Sequence, residues 1–190
     1  MKKVLVSVVV VLAMMVLVAC EKAPQDKIDA AKAAIQAAKD VQADVYASET
    51  MTALLTKEAE LDTVLAGQQN KMFKSFKGVA EMCDSLVLLA DQAKNDAAAG
   101  KEKMTADVQA LMTEVEASIA TAKEALKKCK SKAIDMAAQT AEADAAVAAI
   151  EGAKADLEAG SPNDGLTKVN EAKAKIEGIM AALEAAKGGK

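Results

Sequence analysis

From Met72 to Ala97 the apolar side chains return at alternating steps of four and three: Met72, Phe76, Val79, Cys83, Leu86, Ala90, Ala93, Ala97. A mean step of 3.5 residues keeps one face of an α-helix apolar and is the spacing of a coiled-coil seam. Leu88 and Leu89 broaden this seam, which predicts more than one neighbouring helix. A second seam follows through Met104, Val108, Leu111, Val115, Ile119, Ala122, Leu126 and Cys129. Between the two, Ala97 to Gly100 has the look of a helix end, and Thr105 with Asp107 suits a new start. A turn near Gly100 would fold the two seams into an antiparallel hairpin. The competing arrangement is one continuous helix through Gly100.

The same period governs the flanks. Ile28, Ala31, Ile35, Ala38, then Val41 or Gln42, and Val45 predict a helix starting near Asp26, after Pro24 at its entry. The pattern weakens over Tyr46-Ala47-Ser48, with Ser48 a fitting N-cap. Met51, Leu54, Leu55, Leu61 and Leu65 then carry the next stripe as far as Gly67, a stop, kink or close-packing point. Beyond Cys129, the segment from Ala133 to Ala159 is nearly all alanine on its inner face, with Ile134, Val147, Ile150 and Leu157 as larger contacts. Gly160-Ser161-Pro162-Asn163-Asp164-Gly165 is the strongest turn in the chain. Leu166, Val169, Ile176, Met180 and Leu183 define the last helix, so the final pair should form a helical hairpin. With two prolines, nine glycines and no strand-like alternation, the expected class is all-α. Its long amphipathic helices would form antiparallel hairpins, as a helical bundle or a coiled coil.

The first twenty residues follow a different rule. Lys2 and Lys3 precede an uncharged run from Val4 to Ala19. As a helix it would reach about 24 Å, short of the ~30 Å hydrocarbon core of a bilayer, so it fits a signal peptide better than a membrane span. Leu17-Val18-Ala19-Cys20 then resembles the bacterial lipobox. That resemblance implies cleavage before Cys20, a diacylglyceryl group on its sulfur and acylation of the new amino group. Two or more acyl chains make a stable anchor where one holds only marginally. Glu21 is not the Asp that resembles an inner-membrane retention signal, which favours the outer membrane, facing the periplasm. The expected layout is a signal peptide at 1–19, a lipidated cysteine and tether at 20–25, an alanine-rich helical domain at 26–187 and a tail at 188–190.

Composition narrows the chemistry. Lysine supplies all 24 basic charges against 28 acidic ones, a net charge of −4, and there is no His and no Trp. Mild acidity without a basic stripe does not support nucleic-acid binding. Without His the chain lacks the commonest general base and the commonest transition-metal ligand. The expectation is therefore no enzyme, no metal and no cofactor. Alanine, the best helix former, lets helices approach closely but buries little area per contact, so long interfaces must do what a bulky core does elsewhere.

The remaining candidates each have a plain structural alternative. Cys83 and Cys129 form an even pair in an oxidising periplasm once Cys20 is lipidated. A hairpin centred on residue 106 would align them, whereas a turn at 100–102 staggers them. They bridge helices or chains, or they serve as small apolar residues on their seams. Met72, Met82, Met104 and Met112 read as core filler. The acidic residues are interleaved with lysines and form no convergent carboxylate pair. Phe73 and Phe76 beside Lys71, Lys74 and Lys77 would touch membrane or peptidoglycan, unless Phe76 is core and the lysines are solvated.

The Tyr46-Ala47-Ser48 break, the Lys71-Met72-Phe73-Lys74-Ser75-Phe76 segment and the Ala159-Gly160 to Gly165-Leu166 hairpin resemble a group of alanine-rich helical bacterial lipoproteins of unknown function. That group offers no catalytic residue to carry over. The last hairpin also resembles a single tetratricopeptide unit, without its aromatic positions. A C-terminal Lys190 is similar to the wall-linking end of the major lipoprotein, although Gly188-Gly189 departs from that ending. Taken together, the residues lead to a lipid-anchored periplasmic envelope protein with a structural, spacer or scaffold role. Its expected partners are the membrane and either a second copy or another envelope protein. The alternative is a helical binding module for a hydrophobic ligand or a protein.

Overall fold

The structure, a computed structural model, describes residues 22–69, 71, 75–131 and 134–188. Among these are six helices and no strand: α1 (Gln25–Asp40), α2 (Ala43–Tyr46), α3 (Ser48–Gln69), α4 (Lys77–Lys128), α5 (Met136–Glu158) and α6 (Pro162–Gly188). The class is all-α, as the periodicity requires. The chain divides into two compact units, one ending at Gly100 and the other beginning at Lys101. That boundary lies inside α4, the 52-residue helix. Each unit is a set of helices around its own apolar core, three long ones in each with the short α2 added in the first, and each takes one half of α4.

In the first unit, α1, α3 and residues 77–100 of α4 enclose Ile28, Ile35, Leu54, Leu61, Val79 and Leu86. Lys27 of α1 is ion-paired with Asp84 of α4. Thr50, at the start of α3, donates to Asp96 at 2.6 Å. These two contacts, with the short link from α1 to α3, set α1 along the direction of α4 and α3 against it. Ala31, Ala38, Ala90 and Ala93 are fully buried. Methyl-sized side chains on facing helices bring the backbones close, so extended contact replaces bulk.

Two details differ from the periodicity. The stripe of α1 ends at Ala38 rather than continuing through Val41 and Val45, which are exposed. Gln42 adopts a left-handed conformation (φ 57°), which breaks the helix and rotates the next turn so that Ala43 becomes the buried residue. The break therefore starts ahead of Tyr46, and Ser48 is the first residue of α3 rather than its cap. Leu55 is likewise on the solvent side, with Met51, Leu54 and Leu61 forming the buried face of α3.

The turn expected near Gly100 is absent; α4 runs through it. The apolar stripe does not lose phase there, because half-buried Met104 carries it from Ala97 to Val108. Six buried positions of the first half (79, 83, 86, 90, 93, 97) recur 29 residues on, as 108, 112, 115, 119, 122 and 126. One glycine inside such a helix costs only about 1 kcal/mol relative to alanine, too little to end it. Gly100 is needed for another reason: a Cβ there would lie 2.0 Å from the Tyr46 carbonyl oxygen. The end of α2 rests directly on the backbone of α4.

In the second unit, residues 101–128 of α4 pack with α5 and α6 around Val108, Val115, Ile119, Ile150, Val169 and Ile176. Asp135 caps α5, its carboxylate accepting from the Ala138 N–H at 3.0 Å. The predicted hairpin forms between α5 and α6. Gly160 supplies the positive φ (74°) that ends α5, and Pro162 opens α6 at its first position. Gly165 falls within α6 rather than in the turn, buried against Ala153 and Leu157 of α5. The four buried residues of α1 (28, 31, 35, 38) reappear 115 residues later as those of α5 (143, 146, 150, 153). The two hairpins thus use one pattern, A-A-I-Q-A-A-K in α1 and A-A-I-E-G-A-K in α5.

Candidate functional site

Cys20 and the lipobox lie outside the described residues, as do Met72, Phe73, Lys74 and Lys190. The other candidates can be placed.

Cys83 and Cys129 are both free thiols. Cys83 is fully buried in the first unit, and Cys129 is half-buried just past the end of α4 in the second. The hairpin that would align them does not exist, because α4 is unbroken between them. Both sit on their seams as apolar residues, packed into the cores. Burial pushes the Cys83 thiol above its ordinary value of 9.0, Asp84 pushes it further, and Lys27 opposes. In the unfolded chain the thiol loses its proton first as pH rises. Stability is therefore retained below pH 9 and lost above it. The urea midpoint should fall between about pH 8.5 and about pH 10.5 in the wild type, a window that brackets the free thiol, and fall less in Cys83→Ala. An equal fall in both proteins would assign the effect to other groups.

Carboxylates do not converge. Among the described residues, no group of three or more Cys, Asp or Glu is placed to hold a metal, and no polar or charged residue is buried. The acidic side chains instead meet lysines on neighbouring helices. Lys154 pairs with Glu116 at 2.6 Å, Lys123 with Asp144 at 2.8 Å, Lys175 with Glu142 at 2.7 Å and Lys168 with Asp156 at 2.7 Å. The Glu116 hydrogen bond raises the Lys154 pKa. Partly exposed pairs of this kind contribute little stability each, but together they fix which faces of α4, α5 and α6 meet.

Phe76 is 5% exposed and belongs to the first core, while Lys71 and Lys77 beside it are exposed. Met82, Met104 and Met112 pack in the cores. The periodicity does not mark one feature, a shallow open groove between α4 and α6. Leu111, Val115, Ile176 and Met180 form its floor, and Glu114 and Lys173 its rim. Its local volumes run from 110 to 320 Å³. Val115 and Ile176 belong to the buried stripes while Leu111 and Met180 flank them, and a stripe pattern says nothing of how far two helices stand apart at their edges.

No helix among the described residues is long and apolar enough to cross a membrane. No protein-family model, curated protein or solved structure matches the chain.

Proposed function

We propose that this chain is a lipid-anchored envelope protein, held through Cys20 on the periplasmic face of the outer membrane, where it serves as a spacer or partner scaffold. The observation that carries the scaffold role is α4: two closed cores are joined inside one uninterrupted helix rather than by a linker. Faces of lysines paired with acids surround both cores. The anchor rests on the charge, length and small residues of the first twenty positions.

The intact mass of the chain purified from membranes tests the anchor. Cleavage before Cys20 with added acyl mass is expected, and Cys20→Ser should move the protein out of the membrane fraction. A chain retaining residues 1–19, or a Cys20→Ser variant still held in the membrane, would sink it. The groove between α4 and α6 favours a second reading, a binding module for an apolar ligand or peptide. Retention of an apolar fluorophore at that groove, abolished by Ile176→Lys in a chain that still folds, would favour the module over the scaffold.

A further inference from the structure

We infer that the end of the first unit bearing the tether is a contact face for an anionic lipid surface, with Lys22, Lys71 and Lys77 as its headgroup-binding cations. The inference rests on the lipid-anchor proposal for its setting and on the charge layout for its content.

Helix directions bring these lysines together. Residues 22–24 lead into α1, and Ala23 packs against the first core. α3 ends at Gln69 and α4 begins at Lys77, so the α3–α4 connection returns to the level at which α1 starts. Lys22, Lys71 and Lys77 are all exposed. Between Asp62 and Glu81 the sequence has Lys71, Lys74 and Lys77 and no acidic residue, within a chain of net charge −4. Against these lysines stand Glu21, next to Lys22 in the sequence, Asp26 in the first turn of α1 and Glu81 in the second turn of α4, while Lys27 and Asp84 neutralise each other. The opposite end of the unit carries Asp40, Asp44, Glu49 and Asp96, with Lys39 set against them. The unit is therefore polarised, basic at the tether and acidic away from it.

Lys77 is a second, independent sign. A helix N-terminus carries partial positive charge and is stabilised by acidic residues. α1, α2, α3 and α6 each have an Asp or Glu in the first turn, and α5 has Asp135 as its cap. α4 alone opens on a lysine with no acidic residue in its first turn. That choice works against the helix and concentrates positive potential at this end, which an anionic surface would use.

Reach supplies the occupant. Cys20 is two residues from Lys22, no more than about 7 Å of extended chain. An acyl chain on Cys20 thus holds the headgroup plane beside Lys22, at the end of the unit to which Lys71 and Lys77 also belong. Lysines near such a surface are attracted by its negative potential, and salt screens the attraction.

The test is amine-reactive footprinting of the full chain reconstituted into phosphatidylcholine vesicles, with and without phosphatidylglycerol. Labelling of Lys22, Lys71 and Lys77 should fall about threefold or more only with the anionic lipid, and recover in high salt. Lys39, at the other end of α1, should be unchanged. Equal shielding in both lipids, no shielding, or equal shielding of Lys39 overturns the inference. Shielding by isolated peptidoglycan but not by vesicles overturns it in favour of the wall. If the intact mass shows no acyl group on Cys20, the anchor proposal fails separately. The lysine face then stands or falls on the same footprint with the unlipidated chain mixed with anionic vesicles.

Discussion

Gly100→Ala is expected to destabilise the first unit by about 3 kcal/mol, although alanine is the better helix former by ~1 kcal/mol. The added methyl would stand 2.0 Å from the Tyr46 carbonyl oxygen and 3.0 Å from its carbon. Both are backbone atoms, so no rotamer change relieves the clash. Either α2 lifts from α4 or α4 bends, and Tyr46 and Ala47 then separate from the first core. Gly67 and Gly178 provide the contrast: both are helical, and a Cβ at either meets nothing within 4 Å. Alanine there should stabilise by up to about 1 kcal/mol. Urea unfolding of the three variants separates packing from propensity. A Gly100→Ala protein as stable as Gly67→Ala would show that α2 does not rest on α4 in solution.

Phe76→Ala should cost about 4 kcal/mol, in the range for emptying a phenylalanine site in a core that cannot collapse to fill it. Phe76 is the first buried residue of the α4 seam, at the mouth of the unit where the α3–α4 connection arrives. Most residues that share its core are no larger than leucine and several are alanines, so nothing nearby has the volume to replace a ring. Phe76→Leu should cost far less. The same substitution also decides the alternative role of this aromatic. Were the ring a membrane contact, Phe76→Ala would leave the urea midpoint in solution unchanged and weaken vesicle binding alone.

Where the sequence pattern was strict, it located the structure to the residue. Phe76, Val79, Cys83, Leu86, Ala90, Ala93 and Ala97 are all buried, because a 4-3 repeat can be satisfied by one helix face only. The hairpin at Gly160 was equally legible, since a positive φ followed by proline has few other solutions. The region around Gly100 was not. A glycine reads as a stop when only local preference is considered, and its partner is the Tyr46 carbonyl, 54 residues away in sequence. The continuous helix in turn removes the hairpin that would have aligned Cys83 with Cys129. Gln42 escaped for a related reason: a left-handed non-glycine residue has no local signature, and its effect shows only in which alanine ends up buried. Met112, read as core filler, takes the buried seam position in place of Leu111, since neighbouring apolar residues on a broad seam leave the phase open by one position. Of the candidate site, sequence supplied the lysine-rich segment from Lys71 to Lys77. It could not supply the direction in which α3 returns, and that direction brings Lys22, Lys71 and Lys77 to one end.

The two cores share a helix, which gives them a common thermodynamic boundary. If the first core melts while the second persists, α4 must end near Lys101, and a new N-terminus leaves four backbone N–H groups without helical partners. If the second core melts first, four carbonyls are orphaned at the other side of the same point. Each unit therefore raises the free energy of opening its neighbour through the backbone of α4, and the chain is expected to unfold with more cooperativity than two domains strung on a flexible linker.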